Sequence, residues 1–236
     1  MPSADGDDTY EELNRFDGGT SWLAHPDEAM QRVSHVLDTD AGVFLVDPID
    51  VSGIDDLAAE FGDGRGSDAP AGQPEAGASG DVAGVVLLLN RHERDAATVA
   101  RRHDVPVYLP SFLTREVDAP TERFDGSLPG TDYGLLRTLA VPGWHEAALF
   151  DGETLVVPEA VGTAPFFHGA DEQLGVHPML RLTPPSTLRG LRPERILVGH
   201  GRGVHEAAAD SLRYALEHSR SNAPGVWAGM VRELFR

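Results

Sequence analysis

Four short segments of the sequence combine carboxylate and imidazole side chains with neighbouring glycine, proline or asparagine. They are NRHERDA at residues 90–96, PGWHE at 142–146, VPEA at 157–160 and VGHG at 198–201. Such side chains can hold a divalent metal ion, and they can also act as general acids and bases. The sequence contains no cysteine, so thiolate ligands and cysteine nucleophiles are excluded, and any metal must be held by His, Asp or Glu.

Each of these segments lies at the end of a predicted strand. Residues 82–89 form a continuous apolar run typical of a strand buried on both faces. Residues 94–103 follow with a helical pattern and residues 105–109 with a second strand, which predicts a right-handed crossover and parallel pairing. Because loops at strand ends gather into sites on such sheets, we expect the four segments to lie near one another.

The other patterns predict sheet layers flanked by helices. Residues 31–46 indicate a hairpin with its turn at 39–42, and Ser52 is a plausible N-cap for a helix of about three turns. Later patterns predict a strand meander over 133–157, a strand at 195–198 and a terminal helix over 204–217.

The domain organisation follows from composition along the chain. Residues 1–20 are polar and rich in glycine and aspartate, which predicts a flexible acidic tail. Residues 62–80 lack large apolar side chains and predict a flexible surface insertion. We therefore expect one domain over residues 21–236, interrupted by that insertion.

The charge balance is strongly acidic, with 38 Asp and Glu against 19 basic residues, all of them Arg, and a net charge of −19. This pattern is typical of an extreme halophile, in which salt screens the repulsion between carboxylates. It argues against binding to nucleic acid or to a membrane surface, because both need clustered cations. The acidic N-terminus does not resemble a signal peptide, and no apolar run is long enough to cross a bilayer, so we expect a cytoplasmic protein.

Over roughly residues 32–217, the order and spacing of these features resemble the metallo-β-lactamase-fold hydrolases. The features are LVDP at 45–48, LNRHERDA at 89–96 before a VPVY strand, ALFDGETLVVPEA at 148–160, and the late VGHG. The resemblance implies an α/β (α+β) fold, namely a four-layer αββα sandwich with its site at one edge of the sheets. It also implies metal-assisted hydrolysis.

The first metal motif of that family, Thr-His-x-His-x-Asp-His, is degraded in this chain. Aligned on the Arg-Asp pair, Arg91 takes the place of the first His, Glu93 that of the second, and Asp95 that of the Asp. In this alignment His92 lies one residue out of register, and Arg91 would repel a cation because its guanidinium stays charged. A normal dinuclear zinc site is therefore not expected.

The candidate ligands implied by the resemblance are Asp95, Glu159 and His200, with His145 as a less well matched fourth. Asp95 and Glu93 are the candidate catalytic residues, Glu93 as a ligand or general base. This carboxylate-rich set suits one harder divalent ion such as Mn²⁺ or Mg²⁺ better than Zn²⁺. Alternatively the site holds no ion, and Arg91 pairs with Asp95 or Glu159 in its place.

Three functions remain open at this point. The favoured hypothesis is a degenerate member of the fold that binds a small molecule or a protein, because most of the usual zinc ligands are replaced. The alternative is an active metal-dependent hydrolase with a single altered metal site. The third is an oligomerising subunit that uses the long segment at residues 158–185, which contains Phe166 and Phe167.

Overall fold

The computed structural model describes residues 10–62, 82–92, 94–169 and 171–234. Glu93 and nearly all of the insertion predicted at 62–80 lie outside the described residues. The strands are β1 (Tyr10–Phe16), β2 (Gly19–Ala24), β3 (Val33–Thr39), β4 (Gly42–Val46), β5 (Val82–Val86), β6 (Val107–Pro110), β7 (Thr121–Phe124), β8 (Gly134–Val141), β9 (Trp144–Phe150), β10 (Thr154–Val157), β11 (Val161–Gly162), β12 (Gly175–Val176) and β13 (Arg195–Val198). The helices are α1 (Ile54–Ala59), α2 (Ala96–His103) and α3 (Ala208–Leu234), with short 3-10 turns at Pro165–Phe167, Pro178–Leu180 and Ser186–Leu188.

The first sheet has seven strands in the order β1 to β7. Strands β1 to β4 pair antiparallel, and the turn between β3 and β4 is closed by the Thr39 hydroxyl, which donates to the Gly42 carbonyl at 2.8 Å. Strands β4 to β7 pair parallel, with α2 as the crossover between β5 and β6. The predicted hairpin and the predicted parallel crossover are both present.

The second sheet has four strands in the order β13, β10, β9, β8. The meander of β8, β9 and β10 is antiparallel, and β13 joins β10 in parallel. A two-stranded ribbon of β11 and β12 lies outside both sheets.

Alternating side chains divide the interior into three apolar layers. In β4, Val43 and Leu45 pack with α1 and α2, while Phe44 and Val46 face the second sheet. In β13, Leu197 faces the first sheet, while Ile196 and Val198 pack with α3. Since successive strand residues point to opposite faces, this arrangement is the four-layer αββα sandwich that the resemblance implies.

Several element boundaries differ from the prediction. Residues Tyr10–Phe16, within the segment predicted as a tail, form β1 and bury Leu13. Helix α1 has only six residues, and its N-cap is Gly53 in a left-handed conformation rather than Ser52. Local polarity and capping preferences did not reveal these boundaries, because packing on the sheet decides them.

The terminal helix is twice as long as predicted. It begins at Ala208 rather than residue 204 and continues to Leu234, with Pro224 inside it. A buried stripe explains the extension, since Leu212, Ser219, Ala223 and Val226 all lie on the face that packs on the protein. No helix in the described part of the chain has the length and apolarity needed to cross a membrane.

Candidate metal centre

The site lies at the carboxyl ends of β5, β10 and β13, where three loops meet. The loop after β5 carries His92, the loop after β10 carries Glu159, and the loop after β13 carries His200. Each residue offers one ligand atom, and the three atoms lie within 4.8 Å of one another. Among the described residues, this is the one group of three or more His, Cys, Asp or Glu side chains with the spacing of a metal site.

Glycines on both sides of His200 allow its loop to approach the neighbouring loop. A Cβ on Gly199 would lie 2.2 Å from the Pro158 carbonyl oxygen, and one on Gly201 would lie 2.3 Å from the Ala164 nitrogen. Gly201 also has a φ of +92°, which side chains rarely adopt. The carbonyl of His200 accepts hydrogen bonds from the N–H groups of Thr163 and Ala164, so two hydrogen bonds fix the backbone of this loop.

The imidazole of His200 is held in one tautomer. Its Nδ1 lies 2.9 Å from the carbonyl oxygen of Met30, and a carbonyl can only accept, so Nδ1 carries the proton and Nε2 keeps a lone pair. That Nε2 is buried and has no hydrogen-bond partner. Burial lowers the pKa of His200 to about 4, despite the bond to Met30. The ring is therefore a neutral ligand at neutral pH, of the kind that metal sites use.

His92 presents a second neutral imidazole to the same space. Its ring centroid is 5.6 Å from that of His200, and its Nδ1 is buried without a partner. Burial lowers the pKa of His92 well below its usual value, and the charge of Arg94 lowers it further. Two uncharged imidazoles can lie this close, whereas two imidazolium ions would repel each other.

Glu159 supplies the negative charge of the group. Its Oε2 is buried and accepts no hydrogen bond, with Nη1 of Arg91 at 3.7 Å and Nε2 of His177 at 3.8 Å from Oε1. Burial raises the pKa of Glu159, while the charges of Arg91 and Arg94 oppose that rise. A buried carboxylate oxygen with no donor is costly unless a ligand satisfies it.

The backbone next to Glu159 is fixed by a second buried carboxyl group. Oε1 of Glu146 accepts the Ala160 N–H at 3.0 Å and lies 3.1 Å from the Thr138 hydroxyl. Its Oε2 accepts the indole N–H of Trp144 at 3.3 Å. Burial raises the pKa of Glu146 to about 8, so this residue is mainly protonated at neutral pH and links the Trp144 ring to the loop of Glu159.

Arg94 lies next to the three ligands and carries a positive charge inside the protein. Its Nη1 donates to the carbonyls of Val33 at 2.6 Å and Asp47 at 2.8 Å, and its Nη2 donates to that of Gly199 at 3.2 Å. Burial raises the pKa of Asp47 to about 6, although the charge of Arg94 lowers it. Arg94 therefore joins the loops below the three ligands and adds a fixed positive charge there.

Aromatic rings form the wall around the ligands. The rings of Phe166 and Phe167 lie 5.9 and 6.1 Å from His200, and Phe167 is fully buried. His177 packs edge-on against Trp144 at 4.8 Å and Phe167 at 5.5 Å. Its Nδ1 accepts the Met179 N–H, so its Nε2 carries a proton and acts as a donor.

The structure brings together two of the residues that the sequence predicted as ligands, Glu159 and His200. Asp95 is the N-cap residue of α2, and its Oδ2 accepts the Asp50 N–H at 2.9 Å, which turns it toward the loop after β4. His145 has a buried Nδ1 without a partner but does not belong to the group. Glu93 lies outside the described residues.

His92 was set aside on the sequence because the motif alignment placed it out of register, and His177 was not among the residues predicted for the site. Of the two partners that the sequence left open for Arg91, Asp95 and Glu159, the structure places Glu159 near it, with Nη1 of Arg91 3.7 Å from Oε2 of Glu159. The guanidinium that is directed into the protein, however, belongs to Arg94, which donates to three backbone carbonyls. No sequence signal distinguishes the two arginines, because their burial depends on how the loop turns.

The three residues fit one metal ion. Bonds of about 2.0–2.2 Å place two ligands of one Zn²⁺ ion no more than about 4.4 Å apart, so small side-chain rotations close the 4.8 Å group. Two imidazoles and one carboxylate suit Zn²⁺, Fe²⁺ or Mn²⁺ better than Mg²⁺. A second ion finds no comparable group within the described residues.

Comparison with solved structures identifies the fold. The chain is similar to DIM-1 metallo-β-lactamase, with a TM-score of 0.57 and 11% identity over 91% of this chain and 96% of that one. It is also similar to the metallo-β-lactamase FIM-1 from Pseudomonas aeruginosa in its mono-zinc form (TM-score 0.54, 9% identity, 89% and 96% coverage). A variant of a flavo-di-iron protein from Thermotoga maritima gives a TM-score of 0.54 at 11% identity, over 89% of this chain and 62% of that one.

At these identities the likeness establishes the fold alone. No family model matches the sequence, and no curated protein matches it significantly. The chain therefore has the metallo-β-lactamase fold.

Proposed function

Starting from the metallo-β-lactamase fold and the group of three candidate ligands, we propose that the chain is a hydrolase that uses a single divalent ion held by His92, Glu159 and His200. The observation that carries this proposal is the set of three ligand side chains whose ligand atoms lie within 4.8 Å of one another, each side chain with a buried polar atom that has no hydrogen-bond partner. Buried polar groups normally have partners, and one ion would satisfy all three side chains.

A divalent ion at such a site supplies Lewis-acid polarisation of a substrate carbonyl or phosphoryl oxygen. The residues of this chain hold and surround the ion. The Met30 carbonyl orients His200, Glu146 fixes the backbone next to Glu159, and the rings of Phe166 and Phe167 limit the access of water. The Nε2–H of His177 is a donor on the same side as Glu159, where it can hold a substrate oxygen.

The mono-zinc form reported for FIM-1 supports a single-ion site in this fold, although only by analogy. The neutral state of both imidazoles supports it more directly, because protonated histidine cannot bind a metal. The positive charges of Arg91 and Arg94 oppose metal binding, so we expect an affinity below that of a site with three imidazoles.

The test is the metal content of protein purified in high salt without chelator. We expect about one equivalent of zinc, iron or manganese in the wild type and its loss in His92→Ala, Glu159→Gln and His200→Ala. His145→Ala is the matched control, because His145 also has a buried nitrogen without a partner but is not in the group, and this variant should keep its metal. A panel of ester, amide and phosphoester substrates then identifies the bond that the loaded wild type cleaves and that His92→Ala does not.

A second candidate function is a metal-free pocket that binds a small molecule or a protein. The contact between Arg91 and Glu159 favours it, since a guanidinium can neutralise that carboxylate without an ion. Metal-free wild type that also takes up no added zinc, iron or manganese would favour this function over hydrolysis.

The surface charge belongs to the same proposal. A net charge of −19 with arginine as the only basic residue fits a cytoplasmic protein of an extreme halophile, in which salt screens carboxylate repulsion. The measurement is the midpoint of thermal unfolding in 0.2 and 3 M KCl, which should rise with salt.

A further inference from the structure

Arg91 lies at the edge of the candidate metal centre, where the N–H donors of its guanidinium are available to a ligand. Its side chain is 45% exposed, and its Cζ lies 4.9 Å from the centre of the Trp144 ring. Among the carboxylates that the structure describes, Glu159 is the one near it, at 3.7 Å, which is too far for a hydrogen bond. Among the described residues the guanidinium of Arg91 has no hydrogen-bond acceptor, although it carries five donors.

The ring beneath Arg91 is rigidly held. Trp144 is buried, its indole N–H donates to Glu146, and its ring contacts His177. A guanidinium on such a ring gains cation–π stabilisation, and its planar set of donors is fixed in direction, which suits bidentate binding of a carboxylate or phosphate.

The charged groups beside the ligands are largely paired, which leaves one cation open to a ligand. Arg94 donates to backbone carbonyls, and Arg32 pairs with Glu28 at 2.7 Å. Among the described residues beside the metal group, Arg91 is the cation whose donors have no acceptor. Its charge favours an anionic ligand.

We propose that Arg91 anchors an oxyanion of the substrate, a carboxylate or a phosphate group, on a small molecule whose scissile bond lies at the metal ligands. This names the substrate class of the proposed hydrolase and so rests on that function. Arg91 is a binding residue in this account and takes no part in bond cleavage.

Arg91 should weaken metal binding and strengthen oxyanion binding, and these opposite effects make the proposal testable. As a cation close to Glu159, Arg91 weakens metal binding, so Arg91→Gln should bind metal at least as tightly as the wild type. As the anion anchor, Arg91 strengthens oxyanion binding, so the same variant should lose it. A purely structural role would lower both affinities together.

The experiment is calorimetric titration of metal-loaded protein with succinate, with inorganic phosphate and with neutral succinamide. We expect succinate, phosphate or both to bind and succinamide not to bind. Arg91→Gln should weaken oxyanion binding ~10-fold or more, as expected for a lost hydrogen bond to a charged group, while Arg91→Lys keeps part of it. The matched control is Arg137→Gln, because Arg137 also lies over a ring, that of Phe112 at 4.1 Å, but does not contact the metal group.

Succinate or phosphate binding that depends on Arg91 supports the proposal and shows which oxyanion the site prefers. Equal affinity in Arg91→Gln and wild type, an equal loss in Arg137→Gln, or no oxyanion binding to wild type overturns it. Metal content is measured on the same samples. If wild-type protein contains no metal and its oxyanion binding still requires Arg91, the result contradicts the proposed hydrolase but supports the oxyanion-binding role of Arg91. If metal-loaded Arg91→Gln still binds oxyanions as tightly as the wild type, the result contradicts only the role of Arg91.

Discussion

A buried ion pair behind the aromatic wall gives the sharpest prediction about stability. Arg181 and Glu172 have fully buried side chains, and Nη1 and Nη2 of Arg181 meet Oε1 and Oε2 of Glu172 at 3.0 and 2.5 Å. Glu172 also accepts hydrogen bonds from Gly169 and Asn222. Arg181 donates in turn to the Phe167 carbonyl, so the pair ties the wall of the site to α3.

We expect Glu172→Gln to lower the free energy of unfolding by about 3–5 kcal/mol, because it leaves the Arg181 charge buried without a carboxylate. In a chain of this length about 2–4 °C of melting temperature corresponds to each kcal/mol, so the midpoint should fall by roughly 6–20 °C. Burial opposes ionisation of Glu172, but the hydrogen bonds from Arg181 and Gly169 outweigh it and hold the pKa of Glu172 below its usual value. The wild-type pair is therefore charged at neutral pH.

The assay is thermal unfolding followed by circular dichroism at constant high salt. The matched control is Asp210→Asn, which removes the same charge from the exposed pair of Asp210 and Arg213. Exposed pairs contribute about 0–1 kcal/mol, so this variant should melt within a few degrees of the wild type. Equal midpoints for Glu172→Gln and Asp210→Asn would refute the reasoning, since they would mean that the buried pair is hydrated or unformed.

Two further predictions concern other buried groups. Arg94→Met should lower the free energy of unfolding by about 3–5 kcal/mol, because it removes hydrogen bonds to the carbonyls of Val33, Asp47 and Gly199 and leaves the buried Asp47 carboxyl group without a neighbouring cation; the exposed control Arg101→Met should cost about 1 kcal/mol or less, and similar denaturant midpoints for both variants would contradict this role. Burial lowers the pKa of His35 to about 3, so stability present above pH 6.5 should be lost as pH falls toward 3, by up to about 1.4 kcal/mol per pH unit. His35→Gln should reduce that slope in unfolding curves measured between pH 7 and 5, and an unchanged slope would show that His35 is protonated or hydrated in the folded protein.

Much of the fold could be predicted from the sequence because its core strands are nearly continuous apolar runs bounded by polar residues and turns. Residues 43–46 and 195–198 send successive side chains to different apolar layers, which is the pattern of a strand buried on both faces. The helix boundaries were harder to predict from the sequence. The start of α1 depends on the left-handed Gly53, and the full length of α3 depends on a surface that only the folded chain provides.

The site was predicted in part. Glu159 and His200 follow buried strands directly, and the glycines beside His200 indicate a close approach, so their position could be inferred. His92 could not, because the loop that carries it is irregular. Arg94 in that loop has a φ of +46°, so the register of the motif alignment does not predict the direction of the His92 side chain.

The choice between Arg91 and Arg94 shows the same limit. Both follow the same strand and have the same chemistry. Arg94 is directed inward to the carbonyls of Val33, Asp47 and Gly199, while Arg91 is directed toward the Trp144 ring. Those acceptors come from three distant parts of the chain and meet only in the folded protein.

The single-ion site is tested most directly by anomalous diffraction from crystals grown with one equivalent of zinc or manganese. We expect a single anomalous peak surrounded by His92, Glu159 and His200, with Arg94 next to the group. A peak held by Asp95 or His145 without His92, or two neighbouring peaks, or no peak between the three side chains, would contradict the single-ion site.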